Sequence, residues 1–296
     1  MRSHEPFGTV AANDAANRTD CSLNYSRTRV AGVLLVVSHA ALAQSPDSAT
    51  QKTFFVPRDA AVAAAFFAAS AGLSIFDVRL AHFFEDTAHI HVRAGQKLDD
   101  IFTHINETTL TVGSLAVYAV ARVAKQETVA DIAFHTASSV VAASLTAQVI
   151  RGPLGRTRPR DADPPYDDQY DFHFMKGFSN FKNRAFPSIH SSSGFAAAAA
   201  LVTETKIRSP GATWYVAIPA YALAATPGLS RMYLGQHWAS DIVAGAFLGT
   251  FYGMRVVDYS HKHERTKVDR LFLGPMKTAQ LSPMDGGYSV SWSFKF

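Results

Sequence analysis

Apolar residues are concentrated in six long segments that carry no Asp, Glu, Lys or Arg. These segments span residues 60–76, 108–121, 132–150, 188–203, 209–230 and 242–254. Each is long enough for a helix and is rich in alanine, the residue with the highest helix propensity. The pattern predicts an all-α fold, a helical bundle of about six core helices.

The same segments raise the question of a membrane. Two of them, 242–254 and 108–121, hold only 13 and 14 residues, short of the ~20 that a bilayer requires. Most of the six also carry Ser, Thr or His, and they are rich in small residues rather than in Leu or Ile. We therefore favour a bundle buried within the protein, with an integral membrane protein whose site faces the periplasm as the alternative.

The N-terminal residues have the order of a secretory signal. Arg27 and Arg29 precede the apolar run 30–37, and Ala41-Leu42-Ala43 follows it. A basic region, an apolar region and a small-x-small site predict a signal peptide and leader over residues 1–43, so that a helical domain occupies 44–265 in the periplasm, free or associated with the envelope. A non-signal amphipathic tail is the alternative for this segment.

The C-terminal residues change to strict alternation of apolar and polar side chains. Tyr288, Val290, Trp292, Phe294 and Phe296 alternate with serines and Lys295, and Gly286-Gly287 precede them. This pattern predicts a small C-terminal β hairpin over residues 266–296. The hairpin either folds onto the helical domain or associates through its last strand with a membrane or outer-membrane partner.

Charge and cysteine content exclude several classes of protein. The 296 residues include 28 Lys+Arg against 24 Asp+Glu, for a net charge of +4, without a basic run of the length that nucleic acid requires. We predict no nucleic-acid partner and favour small anions. The single cysteine, Cys21, excludes a disulfide scaffold and a cysteine-based zinc site. His89-x-His91 is the nearest approach to metal-ligand spacing, and we predict no metal.

Two short clusters place cations and hydroxyls at helix ends. In the first, Gly and Pro end a helix near Arg151, and Arg158 follows in an extended conformation before Pro159. In the second, Ser188 caps a new helix whose first-turn N–H groups form an anion site faced by His190. Each cluster alone is equally consistent with an ordinary helix cap or dipole complement.

A third cluster runs from Ser230-Arg231 to His237 and Asp241. His237 and Asp241 are four residues apart, so that on one helix they share a face and the carboxylate accepts the ring N–H. Alone, such a pair is more often a solvated helix pair. Taken together, the three clusters place three Arg, two His, one Asp and one Ser at the ends of apolar helices, a set suited to a tetrahedral oxyanion such as phosphate. Between them lies a long acidic and aromatic loop, 160–186.

The three clusters resemble the three-part signature of the type 2 phosphatidic acid phosphatase superfamily, which includes bacterial class A acid phosphatases, lipid phosphate phosphatases and vanadium haloperoxidases. The resemblance covers roughly Thr128 to Arg255. It departs from the family pattern at Arg151, where the family usually has Lys, and at Ile189, where it usually has Gly. The second change narrows the approach to the backbone N–H of that residue.

The resemblance implies a metal-independent phosphatase that works through a phosphohistidine. His237 would be the nucleophile, oriented by Asp241, and His190 the general acid and then base. The phosphate oxygens would be bound by the remaining site residues: Arg151, Arg158, Arg231, Ser188 and the N–H of Ile189. The substrates would be phosphomonoesters or lipid phosphates and pyrophosphates, with no cofactor and with vanadate as an inhibitor. Two alternatives stay open: a haloperoxidase that uses vanadate as its cofactor, and a catalytically weak envelope protein.

Overall fold

The computed structural model describes residues 54–90, 102, 104–262, 280–284 and 287–291, and this part of the chain is mostly helical. Its seven α-helices are α1 (Pro57–Ser74), α2 (Asp77–Ile90), α3 (Glu107–Val123), α4 (Glu127–Leu154), α5 (Ile189–Arg208), α6 (Thr213–Tyr233) and α7 (Ala239–Lys262). Two strands, β1 (Gln280–Met284) and β2 (Gly287–Ser291), follow them.

Each of the six charge-free segments lies wholly or mostly within one helix, α1, α3, α4, α5, α6 or α7, which confirms the helical prediction. Helix α2 was not predicted, because its sequence DVRLAHFFEDTAHI contains charges throughout. Local signals set the helix ends. The Asn106 side chain accepts from the N–H groups of Thr108 and Thr109 at the start of α3, and Gly155, in the left-handed conformation with φ 60°, follows the last residue of α4.

Helix α5 is the centre of the bundle and packs against α4, α6 and α7. A stripe of glycines, one every four residues along α7, allows α7 to approach α5 closely. A Cβ atom at each of them would lie 2.2 to 2.6 Å from a main-chain oxygen of the α5 segment, Gly245 from Ser188, Gly249 from Ser192 and Gly253 from Ala196. The contact between α4 and α5 also uses small side chains, since Val140 and Ala143 of α4 pack against Ala196 of α5. Small residues at this seam fix the position of the α5 N-terminus, where the site lies.

The long loop between α4 and α5 folds back on itself through main-chain hydrogen bonds. Thr157 N–H donates to Asp171 O at 2.9 Å, Arg158 N–H to Lys182 O at 3.0 Å and Ala185 N–H to Arg156 O at 3.0 Å. Three single-turn 3-10 helices interrupt it, at Pro159–Asp161, Lys176–Phe178 and Phe181–Asn183. The segment that carries Arg156 and Arg158 is therefore bonded to the middle of the loop, at Asp171, and to its last part, at Lys182 and Ala185.

The fold class requires a correction. Within 54–90 and 104–262 the structure has seven helices rather than about six and no strand, and a C-terminal β hairpin is not supported as an element of this fold. Strands β1 and β2 pair antiparallel with each other, Leu281 opposite Val290, in a sheet of two strands. A two-stranded ribbon is marginal in water without a third strand or a packed helix, and alternation in a sequence cannot show whether such a partner exists. Association with a membrane partner through this strand is likewise not supported.

Two further predictions lie outside the described residues. The signal peptide and leader over 1–43 falls before residue 54, and the pair His89-x-His91 falls where the side chains are not described. Both stay predictions.

Candidate phosphate site

The N-terminus of α5 forms the floor of the candidate site. Ser188 precedes the helix, and its Oγ accepts a hydrogen bond of 3.4 Å from Ser191 N–H, so that it is the cap that the sequence predicted. Ser188 N–H itself donates to the main-chain oxygen of Asp241 at 3.0 Å, and this bond ties the cap to the first turn of α7. Ile189 and His190 are the first two residues of α5. Their backbone N–H groups belong to the helix terminus that attracts anions.

Two buried arginines come from the end of α4 and the segment after it. Arg151 lies in the last turn of α4 and donates from Nε to Gln148 Oε1 at 2.8 Å. Arg158 has the extended backbone predicted before Pro159 (φ −74°, ψ 152°) and donates to the Gln236 side chain. Neither arginine forms an ion pair with a carboxylate among the residues that the structure describes. Buried cations that bind only neutral amides have charge left for an anion.

Arg158 also shows where an additional acceptor would bind. Its guanidinium carbon lies 3.8 Å from the centre of the Phe181 ring, and its Nε is buried without a hydrogen-bond partner in the described part of the chain. Burial, followed by the charge of Arg160, lowers the pKa of Arg158 to about 10. The group stays charged at neutral pH, and a phosphate oxygen would satisfy its remaining donor.

His190 faces the arginines. Its Nε2 lies 3.4 Å from the NH2 group of Arg231, and because arginine only donates, this ring nitrogen is the acceptor. Its Nδ1 is buried and has no partner among the described residues. Burial, followed by the charges of Arg231, His237, Arg151 and Arg158, lowers the pKa of His190 to about 3. His190 is thus neutral in the free protein and lies among the cations predicted to bind phosphate.

His237 is held by the main chain rather than by a carboxylate. Its Nδ1 lies 2.7 Å from Ala185 O, a hydrogen bond, and 3.7 Å from Asp241 Oδ2. Donation from Nδ1 to a carbonyl leaves the lone pair on Nε2, the nitrogen available for attack or ligation. Burial also lowers the pKa of His237, which favours this neutral form. The prediction that Asp241 directly accepts the ring N–H is corrected, because α7 begins at Ala239 and His237 lies before the helix.

Asp241 instead organises the turn that presents His237. Its Oδ2 accepts from the main-chain N–H of Trp238 at 2.8 Å, and its Oδ1 accepts from Arg156 at 2.5 Å. Arg156 pairs on its other side with Asp77, at 2.8 Å, and Asp77 Oδ1 accepts from Ser240 N–H at 2.9 Å. All three charged groups are buried. The network fixes the main chain directly after His237, at Trp238 and Ser240, and connects it to the start of α2.

The structure brings the predicted site residues together and adds some that sequence reasoning missed. His190 is close enough to Arg151, Arg158, Arg231 and His237 to be affected by the charge of each, and Ser188, Ile189 and Asp241 surround the same helix terminus. The missed residues are those that support the site: Asp77, Arg156, Gln236 and the carbonyl of Ala185. Arg156 lies inside the first cluster, so its charge was a visible signal, but no spacing connects it to Asp77, 79 positions earlier.

An apolar cavity of about 340 Å³ opens beside the site, between α1 and α7. Phe66 of α1 and Phe247 of α7 stack across it, and Phe67 lies 6.5 Å from Phe186. Phe186 and Pro187, which line its near end, are the residues directly before Ser188. One end of the cavity therefore reaches the residues next to Ser188 of the phosphate site. Its mostly apolar walls suit a hydrocarbon chain.

Comparison with known proteins gives the class to which this arrangement belongs. The model of the PAP2 superfamily, the type 2 phosphatidic acid phosphatases, matches residues 132–265, a region that begins within α4, runs through α7 and holds all eight predicted site residues. The resemblance drawn from the three clusters is confirmed over this part of the chain.

Two curated relatives are similar over shorter stretches. A lipid A 1-phosphatase of Porphyromonas gingivalis is 38% identical over 69 residues, 23% of this chain and 15% of the relative. A lipid A 4'-phosphatase of Bacteroides thetaiotaomicron is 32% identical over 114 residues, 38% of this chain and 46% of the relative. The chain thus spans less than half the length of each. Among solved structures, a transmembrane PAP2 type phosphatidylglycerolphosphate phosphatase from Bacillus subtilis aligns with a TM-score of 0.31 and 20% identity, over 67% of this chain and 98% of that one.

Proposed function

We propose that the protein is a metal-independent phosphatase that hydrolyses lipid phosphates through a phosphohistidine intermediate. The observation that carries the proposal is the pair of buried cations at the N-terminus of α5: Arg151 and Arg158 bind neutral amides rather than carboxylates, and the part-buried Arg231 contacts His190 beside them. Placing two buried cations at a helix terminus is costly unless an anion binds there. A phosphoryl group has the several oxygens that these donors match.

The first chemical step follows from the tautomer of His237. Nε2 of His237 attacks phosphorus in line, forming a P–N bond as the P–O bond to the leaving group breaks. The leaving oxygen takes a proton from His190, which therefore has to be protonated in the complex. Binding of a doubly charged phosphate next to His190 supplies the reason, because an anion raises the low pKa that burial and the arginines give this ring.

The second step reverses the role of His190. The neutral ring accepts a proton from water, whose oxygen attacks the phosphohistidine, releasing inorganic phosphate and restoring Nε2 of His237. Arg151, Arg158 and Arg231 stabilise the equatorial oxygens in both steps. Asp241 and Arg156 act as positioning residues, since they hold the main chain around His237 and do not contact the substrate.

Lipid substrates are supported by the apolar cavity and by the relatives. The cavity between α1 and α7 would accept an acyl chain whose phosphate lies on Ser188 and His190. The two curated relatives are named for lipid A, and we propose a lipid phosphate of that kind as the substrate of this chain.

We also propose that the domain associates with a membrane surface. One described helix, Glu127–Leu154, is long and apolar enough to cross a membrane, or two if the bent pair Pro57–Ser74 and Asp77–Thr87 is counted as one span, judged by length and composition alone. Val112 and Val120 of α3 and Leu145 and Val149 of α4 are at least 61% exposed, and apolar side chains so placed suit a lipid surface. Placement in the periplasm depends on residues 1–43 and stays a prediction.

The experiment that tests the proposal measures phosphate release in EDTA from an aryl phosphate, phosphatidic acid and lipid A. Wild-type protein is expected to release phosphate, and His237→Ala to lose at least ~1000-fold in kcat/KM. Rapid acid-free quenching with ³²P-labelled substrate is expected to trap label on His237. Absence of turnover on every substrate, with oxidation of bromide by peroxide when vanadate is added, would favour the haloperoxidase alternative instead.

A matched pair of substitutions on α1 tests the acyl site. Ala63 lines the cavity and Ala64, its neighbour, does not. Ala63→Asp places a carboxylate among the phenylalanines, so that kcat/KM for phosphatidic acid is expected to fall about tenfold or more while the aryl phosphate is unaffected. Ala64→Asp is expected to change neither. Equal losses for both substrates in Ala63→Asp would show that the cavity does not bind the lipid chain.

A further inference from the structure

The three helices that provide the phosphate site have a second polar cluster at their other ends. Helix α4 carries Arg151 in its last turn and His135 near its start, and α5 carries His190 at its start and Glu204 near its end. Helix α7 has Asp241 in its first turn and His261 in its last. His190 and Glu204 are 14 positions apart, so about 21 Å of helix separates the clusters. The second cluster, His135, Glu204 and His261, is therefore a feature independent of the phosphate chemistry.

The donor atoms of this cluster converge. Glu204 Oε1 lies 2.5 Å from His135 Nδ1 and 3.0 Å from His261 Nε2, and the three ligand atoms all lie within 4.8 Å of one another. The two imidazole rings meet edge to face with centres 5.6 Å apart. Two imidazole nitrogens and one carboxylate oxygen, each from a different helix, form the donor set of a three-ligand transition-metal site.

Glu204 is prepared to act as an anionic ligand. Its side chain has no exposed surface, and its second oxygen, Oε2, accepts from Arg208 Nε at 2.8 Å. Arg208, which also lies 3.5 Å from Asp131, fixes the plane of the carboxylate.

We propose that His135, Glu204 and His261 bind a divalent transition-metal ion of the zinc class, which clamps α4, α5 and α7 at the end remote from the phosphate site. Ligands at ~2.0–2.1 Å from a tetrahedral ion lie about 3.3 Å apart. Glu204 Oε1 and His261 Nε2, at 3.0 Å, are near this spacing, and His135 Nδ1, at 2.5 Å from the same oxygen, would move outward by about 0.8 Å. His135 and Glu204 are buried whereas His261 is exposed, so the ion enters from the side of His261 and solvent supplies its fourth ligand. Arg208, bonded to the second oxygen of Glu204, opposes the charge of the ion, and Asp131, 3.5 Å from Arg208, offsets that charge.

Little in the sequence indicates this site. Its members are 69 and 57 positions apart, and each of the three helices carries one of them, so that no spacing motif arises. The prediction of no metal was made from the resemblance and from the lack of metal-ligand spacing, and it does not test this cluster.

The test uses the full chain, freed of metal by EDTA and dialysis and carrying no polyhistidine tag. Equimolar Zn²⁺ is expected to raise the melting temperature by about 5–10 °C, and Co²⁺ to give the visible absorption of a four-coordinate ion with one ion per chain. His261→Ala, a change at an exposed side chain, is expected to abolish both signals. His104→Ala, which removes an exposed histidine elsewhere, is expected to retain both.

Three results would overturn the proposal. The first is the absence of both the Zn²⁺-dependent shift and the Co²⁺ absorption in wild type, which would leave the cluster as a hydrogen-bonded network. The second is the persistence of these signals in both His261→Ala and Glu204→Gln, which would place the ion elsewhere. The third is the loss of the signals in His104→Ala as well. Phosphate release below the melting temperature is expected to be the same with and without the ion, so that the outcome does not depend on the proposed function.

Discussion

The two ends of the α4–α5–α7 unit handle buried charge in opposite ways. At the phosphate end, Arg151 and Arg158 donate to glutamine side chains and His190 keeps a buried nitrogen without a partner among the described residues. At the remote end, Glu204 receives three charge-assisted contacts, from His135, His261 and Arg208. Buried cations that the protein does not neutralise indicate an external anion, whereas the carboxylate at the remote end already has partners on α4, α5 and α7, so that the described residues supply charges of both signs there.

Matched arginine substitutions give the largest expected contrast between the ends. Arg158→Gln removes a cation from the phosphate site, and kcat/KM for an aryl phosphate is expected to fall by about 100- to 1000-fold, with the melting temperature unchanged or raised because a desolvated charge is lost. Arg208→Gln removes a partner of Glu204. The kcat/KM of Arg208→Gln is expected to stay within about twofold of wild type, while its free energy of unfolding falls by ~1 kcal/mol or more.

The contrast fails if Arg208→Gln loses activity as Arg158→Gln does while the protein remains folded. Such a result would mean that the two ends are coupled and that the compensated cluster contributes to catalysis. Circular dichroism melting and steady-state kinetics on the same preparations separate the two cases.

The Asp77–Arg156–Asp241 network sharpens the comparison, because it is a compensated set of charges directly behind the phosphate site. Asp77→Asn leaves Arg156 buried with half of its counter-charge, at an expected cost of ~3 kcal/mol in the free energy of unfolding. The turn at His237 loosens, so kcat is expected to fall with little change in KM. Asp167→Asn breaks an exposed pair with His82 and is expected to cost under ~1 kcal/mol. Equal losses in urea unfolding for both variants would contradict this ranking.

The glycine stripe tests whether both ends depend on the seam between α5 and α7. A Cβ at Gly249 would lie 2.2 Å from Ser192 O, whereas at Gly113 in α3 nothing lies within 4 Å. Gly249→Ala forces the helices apart and is expected to destabilise the protein by ~1–3 kcal/mol and to lower activity. Gly113→Ala is expected to stabilise it by up to ~1 kcal/mol, from helix propensity alone. A Gly249→Ala protein as stable as wild type would show that α5 and α7 can separate enough to accept a methyl group without loss of stability.

Features of the structure that depend on neighbouring residues could be predicted from the sequence, whereas features that depend on distant residues could not. Six helices, the cap at Ser188 and the extended Arg158 were predictable, because each depends on neighbouring residues. The start of α7 was not. Asp241 binds Trp238 N–H and so ends the turn before the helix, and this contact moves His237 off the helix onto Ala185 O.

Features that depend on distant residues were beyond the sequence. Helix α2 has no charge-free run to reveal it, yet its first residue, Asp77, binds Arg156 and Ser240. The cluster at Glu204 joins three helices with no motif on any of them. The hairpin, by contrast, was predicted and is not supported as part of the fold. Local alternation of apolar and polar residues carries no information on whether strands pack against the helical domain.

The smallest expected effect concerns the protonation of His190. In the free protein the pKa of His190 is about 3, lowered from 6.5 chiefly by burial. A bound dianion beside the ring raises this pKa, so that between the two values binding takes up a proton and affinity increases as the pH falls, by up to about tenfold per pH unit. Sulfate is a suitable probe because it does not itself titrate from about pH 4 to 8. Calorimetry in two buffers of different ionisation enthalpy measures the proton uptake directly. His190→Gln is expected to bind sulfate with little pH dependence, and the same slope in this variant would assign the proton to another group, of which His237, also buried beside Arg158, is the nearest.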